Sequence, residues 1–218
     1  MYKYAIFDID GTIIDSLQDL CCAVNDALKN LCYDKVYTYE ESKRLIGDGA
    51  YVLAQRAIAP FSSKKNDIDV FYEEYLRLYA SSQEKTTNAF PHLKEVLNLL
   101  KDNGVSLMVF SNKPEPYANL ILQKIFGPNM FDAIIGDRRD GHLKPDPFNL
   151  ISVLKAKKID KEETVYIGDG STDIETSINA KIDMCLVTYG YGDYSDIDHA
   201  KIKYVASSPI KLLDIILH

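Results

Sequence analysis

The chain has 218 residues, 46% hydrophobic and 26% charged, which is the balance of a globular protein able to bury a core without disulfides or structural metals. Its net charge of -7 argues against a nucleic-acid binder, which would need a basic face. An anionic substrate stays open, because a bound cation reverses the local field. No stretch reaches the roughly 18 apolar residues of a membrane span, and the N-terminal apolar run meets Asp8 too early for a signal peptide. A cytoplasmic protein without membrane or nucleic-acid partners is therefore expected.

Tyr2–Phe7 reads as a short buried strand that stops at an acidic turn. Ser16, with Asp19 three residues on, reads as the N-cap of a helix carrying Leu17, Leu20, Cys21, Val24, Leu28 and Leu31 at helical spacing. Thr38 and Glu41 form a capping box, and the helix they open is expected to reach Ile46 and stop at Gly47-Asp48-Gly49. Helices follow over residues 50–59 and 67–80, the second with Val70, Phe71, Tyr75, Leu78 and Tyr79 inward. Residues 16–85 thus form an all-helical block. After Pro91, helices are expected over 93–102, 117–126, 148–157, 172–181 and 210–217. Strands are expected over 105–110, 131–135, 164–167 and 184–187. This alternation predicts an α/β fold, a doubly wound parallel sheet covered on both faces. The domains expected are a core of residues 1–15 and 86–218 and an inserted helical cap of 16–85. An insertion at the first strand's turn lies at the carboxyl edge of the sheet, where open α/β folds bind ligands.

Three strands end in polar residues that a parallel sheet brings to that edge. They are Asp8-Ile9-Asp10-Gly11-Thr12, Ser111-Asn112 and Gly168-Asp169-Gly170-Ser171-Thr172-Asp173. Asp8 and Asp10, two apart, share a face in extended chain. Close carboxylates repel unless a cation or proton joins them, and an oxygen-rich set suits Mg²⁺. The four cysteines, Cys21, Cys22, Cys32 and Cys185, show no metal spacing and read as buried reduced thiols. The four histidines show no zinc pattern.

These three motifs, with Lys144-Pro145-Asp146-Pro147, resemble in order and spacing the four motifs of the haloacid dehalogenase-like hydrolase superfamily. The segments 8–20, 44–53 and 187–192 further resemble its phosphoglycolate phosphatase branch. The resemblance implies that Asp8 is a nucleophile forming an aspartyl-phosphate. It implies that Asp8, the Asp10 carbonyl and Asp169 hold Mg²⁺. Asp10 would act as general acid and then base. Ser111 and Lys144 would bind the phosphoryl group, while Asn112 is either a further phosphate ligand or a turn residue. Asp173 would order the metal shell or Lys144, with Thr12 supporting the turn. Arg44, Gly47 and Gly49 are either a substrate-specificity loop of the cap or a surface arginine beside a helix-breaking turn. Arg56, Arg138 and Arg139 are either substrate contacts or, the favoured reading, solvated surface charges. His92 stands where such relatives usually have glycine, so the turn there is expected to differ.

The implied activity is a Mg²⁺-dependent phosphatase of a small phosphorylated metabolite, with 2-phosphoglycolate the first candidate, in a monomer or homodimer. Sugar phosphates, nucleotides and pyrophosphate are rival substrates, and a phosphosugar mutase is a rival reaction. The cap carries nine Lys/Arg against eleven Asp/Glu, so it offers a polyanion no net positive field. A dehalogenase would not need Asp10. A reading from another class is a silent phosphate-binding regulatory module.

Overall fold

The computed structural model describes residues 1–82, 86–192 and 199–218; the end of the expected helical block, residues 83–85, lies outside them. The chain divides into two compact units, Met1–Asp15 with Ala89–His218, and Ser16–Asn88.

The first unit is built on β1 (Tyr4–Phe7), β4 (Ser106–Pro114), β5 (Ala133–Asp137), β6 (Thr164–Gly168), β7 (Asp183–Val187) and β8 (Tyr204–Ala206). All pairings are parallel, in the order β5-β4-β1-β6-β7-β8. Successive residues point to opposite faces. Ala5, Phe7, Leu107, Val109, Val165, Ile167, Cys185 and Val187 enter one core. Ile6, Met108, Phe110, Tyr166, Met184 and Leu186 enter the other. Burial on both faces is why these strands read as continuous apolar runs. Helices α5 (Leu93–Asp102), α6 (Glu115–Phe126) and α9 (Lys211–Leu217) supply the first core, and α7 (Phe148–Lys157) and α8 (Ser171–Ala180) the second.

The pairing places β1 between β4 and β6, with Phe7 level with Val109 and Ile167. The three polar strand ends are therefore neighbours. β4 runs four residues past its expected end at Phe110, with its register against β5 shifting between Phe110 and Pro114. β5 begins two residues later than expected, and β8 was not legible at all: three residues with one buried side chain show no period. Two short strands, β2 (Ile14–Asp15) and β3 (Asn88–Ala89), pair with each other.

His92 is the N-cap of α5 and sits at φ 66°, ψ 0°. That left-handed conformation is one that glycine adopts without steric cost. A Cβ there costs roughly 1 kcal/mol. His92→Gly is expected to stabilise the protein by up to about 1 kcal/mol in urea unfolding. A loss instead would mean that the imidazole makes a contact worth more than the strain.

The second unit holds α1 (Leu17–Asn30), α2 (Tyr39–Lys43), α3 (Ala50–Ile58) and α4 (Lys65–Ser82). The Thr38–Glu41 capping box forms, but α2 stops after five residues instead of reaching Ile46. Ser16 occupies the N-cap position of α1 without a capping side-chain bond. Val70 of α4 faces solvent, and Tyr72 and Leu76 are buried beside Phe71, Tyr75 and Tyr79. Cys22 and Cys32 are exposed, correcting the expectation that all four thiols are buried; all four are free of disulfides.

Asp19 does not cap α1. Its carboxylate accepts bonds from the Thr86 hydroxyl at 2.7 Å and amide at 3.2 Å, and from the Thr87 hydroxyl at 2.6 Å and amide at 2.9 Å. Burial works against its ionisation, but the Thr87 and Thr86 bonds outweigh burial and hold its carboxyl below the ordinary range. A depressed folded value contributes stability in full above the unfolded value of about 3.9, lost as pH falls through the folded one. Asp19→Asn should therefore cost about 2 kcal/mol at neutral pH. The gap from the parent in urea unfolding should shrink in acid; a gap independent of pH would refute this account.

Candidate active site

Asp8 ends β1 and is buried, with its Oδ1 lying 2.8 Å from the Lys144 ammonium. The ammonium meets Oδ1 as an ion pair, and no other donor reaches this oxygen. An unbonded buried carboxylate oxygen costs free energy and needs a reason. Burial raises the Asp8 carboxyl most, Lys144 pulls it back, and Asp173 and Asp10 push it up again, to about 6.

Lys144 is itself buried and also bonds Asp173 Oδ1 at 2.7 Å. Burial opposes its charge, but Asp173 and Asp8 outweigh burial and hold it protonated well above its ordinary value. Its main chain is clamped by Asn112, whose Oδ1 accepts from the Lys144 amide at 2.6 Å and whose Nδ2 donates to the Lys144 carbonyl at 3.1 Å. Both ends of the Asn112 amide are thus engaged on a neighbouring loop. Ser111 is buried at the same strand end, and its Oγ accepts from the Lys113 amide at 3.4 Å.

Asp169 ends β6. Its Oδ2 accepts from the Tyr191 and Gly192 amides at 3.0 and 2.9 Å, and its Oδ1 from the Thr12 hydroxyl at 3.3 Å. Burial, then Asp173 and Asp8, raise its carboxyl well above the ordinary value, although the two amides pull it down. Asp173 Oδ2 accepts from the amides of Asp169 and Gly170, and its Oδ1 also takes the Tyr166 hydroxyl at 3.1 Å.

Asp8, Asp169 and Asp173 each offer an oxygen within 4.8 Å of the others. Asp173 Oδ1 is taken by the Lys144 ammonium, whereas Asp169 accepts only from uncharged donors, so Asp8 and Asp169 are the carboxylates better suited to a cation. The Asp10 side chain lies outside this trio and pairs with Lys113, at 2.9 Å to Oδ1 and 3.0 Å to Oδ2. Four carboxylates share two ammonium groups, Lys113 and Lys144, leaving a formal excess of two negative charges. The orphaned Asp8 oxygen and this excess fit a divalent cation.

Among the remaining expected residues, Arg44 is exposed just after α2. Gly47 and Gly49 both have positive φ, at 114° and 94°, and Gly49 is the N-cap of α3. Arg56 pairs with Asp48 between them, so it braces this turn and is not simply solvated. Arg138 and Arg139 are exposed, and Arg138 pairs with Glu115.

A model of the haloacid dehalogenase-like hydrolases matches residues 5–187. The chain belongs to that family. A Pseudomonas putida protein named phosphoglycolate phosphatase is 31% identical across 97% of this chain and 76% of its own. One of the same name from Vibrio parahaemolyticus is 28% identical across 98% of this chain and 96% of its own. The crystal structure of a predicted phosphoglycolate phosphatase from Haemophilus somnus superposes with a TM-score of 0.89 at 26% identity, covering 98% of this chain and 97% of the other.

In this haloacid dehalogenase-like hydrolase, sequence reading missed Lys113, Tyr166 and the Tyr191–Gly192 amides. Lys113 carried a local signal: it lies two residues past Ser111 at the end of an apolar strand, and such a lysine is buried only when paired. The Tyr191 and Gly192 amides carried none, because they reach Asp169 from distant positions, and Tyr166 read only as part of an apolar strand.

Proposed function

We propose that this chain is a divalent-metal-dependent phosphatase of small phosphomonoesters, with Mg²⁺ as the ion and 2-phosphoglycolate as the first substrate to test. The observation carrying the reading is the buried Asp8 carboxylate with an oxygen no donor holds, beside the Lys144 ammonium. Such an oxygen is available as a nucleophile toward phosphorus. Asp10 serves as acid toward the departing alkoxide and as base toward water. Lys144 offers a fixed charge to the phosphoryl oxygens, and Ser111 a hydroxyl. Asn112 holds Lys144 in place through its main chain, an assignment favoured over direct phosphate contact by both amide bonds. Asp173 orients Lys144, and Thr12 orients Asp169. Asp8, the Asp10 carbonyl and Asp169 would hold Mg²⁺, which when bound neutralises phosphoryl charge. The helical unit, inserted after the turn that carries both aspartates, is read as the substrate-selecting cap, with Arg44 and the Gly47–Gly49 turn as its candidate specificity elements.

The relatives named phosphoglycolate phosphatase support the choice of first substrate. Phosphate release from a panel of alkyl phosphates, sugar phosphates, nucleotides and pyrophosphate, with Mg²⁺ or with EDTA, tests the reading. Metal-dependent turnover led by 2-phosphoglycolate is expected. Broad turnover without a leader would withdraw the substrate, and no turnover by folded protein would overturn the phosphatase.

A further inference from the structure

Asp8 and Asp10 leave β1 two residues apart, and each has its own ammonium: Lys144 for Asp8 and Lys113 for Asp10. The Lys113 side chain is 3% exposed, while that of Asp10 is 15% exposed. Desolvating an ammonium costs several kcal/mol, and an apolar residue could fill the same volume without that cost. Core stability therefore does not account for a lysine here. Its geometry suggests what does. The ammonium meets both Asp10 oxygens almost symmetrically, at 2.9 and 3.0 Å. A two-point contact of this kind fixes the plane of the carboxyl group as well as its position. Lys113 lies where β4 departs from its regular register with β5, two residues beyond Ser111, with its amide on the Ser111 oxygen. Chain alternation thus delivers Ser111 and Lys113 to the same edge.

We propose that Lys113 is a positioning residue for the proton-transferring Asp10, holding its carboxyl group in one orientation through the reaction; this rests on the phosphatase reading above. In the first half, an Asp8 oxygen bonds to phosphorus, the bond from phosphorus to the alcohol oxygen breaks, and the Asp10 proton passes to the departing alkoxide. In the second half, water oxygen bonds to phosphorus, the bond to Asp8 breaks, and a water proton returns to Asp10. A carboxyl group free to swing would slow proton transfer to an alkoxide. It would matter little for a leaving group that departs as a stable anion.

The experiment compares the full-length protein with Lys113→Met and Lys113→Arg, in saturating Mg²⁺. The readout is kcat/KM for the best alkyl phosphate of the panel and for p-nitrophenyl phosphate. Because kcat/KM reports steps through formation of the phospho-enzyme, it isolates the first half. Lys113→Met is expected to lose about 100-fold with the alkyl phosphate and to change little with the aryl one. Lys113→Arg should recover most of the alkyl activity. If Met at this buried site prevents folding, Arg still tests the idea, because its displaced charge should produce a smaller loss confined to the alkyl substrate. Equal losses for both substrates in any folded variant would overturn the proposal and mark Lys113 as a phosphate ligand or a purely structural residue. No turnover by the parent protein would overturn the underlying phosphatase reading, a result distinct from equal losses in the variants.

Discussion

Asp8→Asn is expected to abolish turnover, lowering kcat by on the order of 10⁴- to 10⁶-fold, without lowering thermal stability in the absence of metal. The catalytic half follows from the nucleophilic role proposed for Asp8: an amide oxygen does not form the covalent phospho-enzyme. The stability half follows from the site's charge. The Asp8 carboxyl is raised to about 6 by burial and neighbouring carboxylates, which means that its charged form is disfavoured in the folded state. Removing that charge relieves repulsion with Asp173 and Asp10, while Lys144 keeps its bond to Asp173 at 2.7 Å. Melting followed by circular dichroism, alongside phosphate release, separates the two halves. A collapse in melting temperature together with lost activity would mean that Asp8 is a structural anchor.

Gly190→Ala should disable metal binding from outside the acidic cluster. A Cβ at Gly190 would stand 2.2 Å from the Gly11 carbonyl oxygen and 2.5 Å from Asp169 Oδ2. Real Cβ atoms do not approach so closely, and the first obstacle is backbone, which cannot rotate away. The strap carrying Tyr191 and Gly192 must then move, and with it the two amides that hold Asp169 Oδ2. Overpacking of this kind costs about 1–3 kcal/mol. The more specific consequence is on metal affinity, because Asp169 loses its orientation. In the parent protein, Mg²⁺ should raise the melting temperature, as any ligand of the folded state does. In Gly190→Ala that increment should vanish or need far higher Mg²⁺, measured by titration calorimetry and melting. An unchanged Mg²⁺ response would show that the strap does not position Asp169.

Both predictions draw on features of differing visibility in the sequence. The strands around Phe7, Val109 and Ile167 were legible because burial on both faces leaves an uninterrupted apolar run ending at a polar residue. Asn103 and Gly104 announced the end of α5, and Gly104 takes φ 81° there. The short α2 was not legible, since its capping box marks a start and carries no information about length. The left-handed His92 was visible only as an unusual residue at a turn.

By itself, the sequence determined the strand–helix alternation, the acidic strand ends and the identity of the groups available for chemistry. These depend on residue type and local period, which any reader of the chain can see. The tertiary structure decided which of those groups meet. It puts β1 between β4 and β6, so that Lys113 reaches Asp10 across 103 positions and Lys144 reaches Asp173 across 29. It turns Asn112 onto the Lys144 main chain and the Tyr191 amide onto Asp169. Strand order and loop return are settled by the packing of whole faces, and no local pattern encodes them; that is why the pairing of each lysine with its carboxylates appears only in the folded chain.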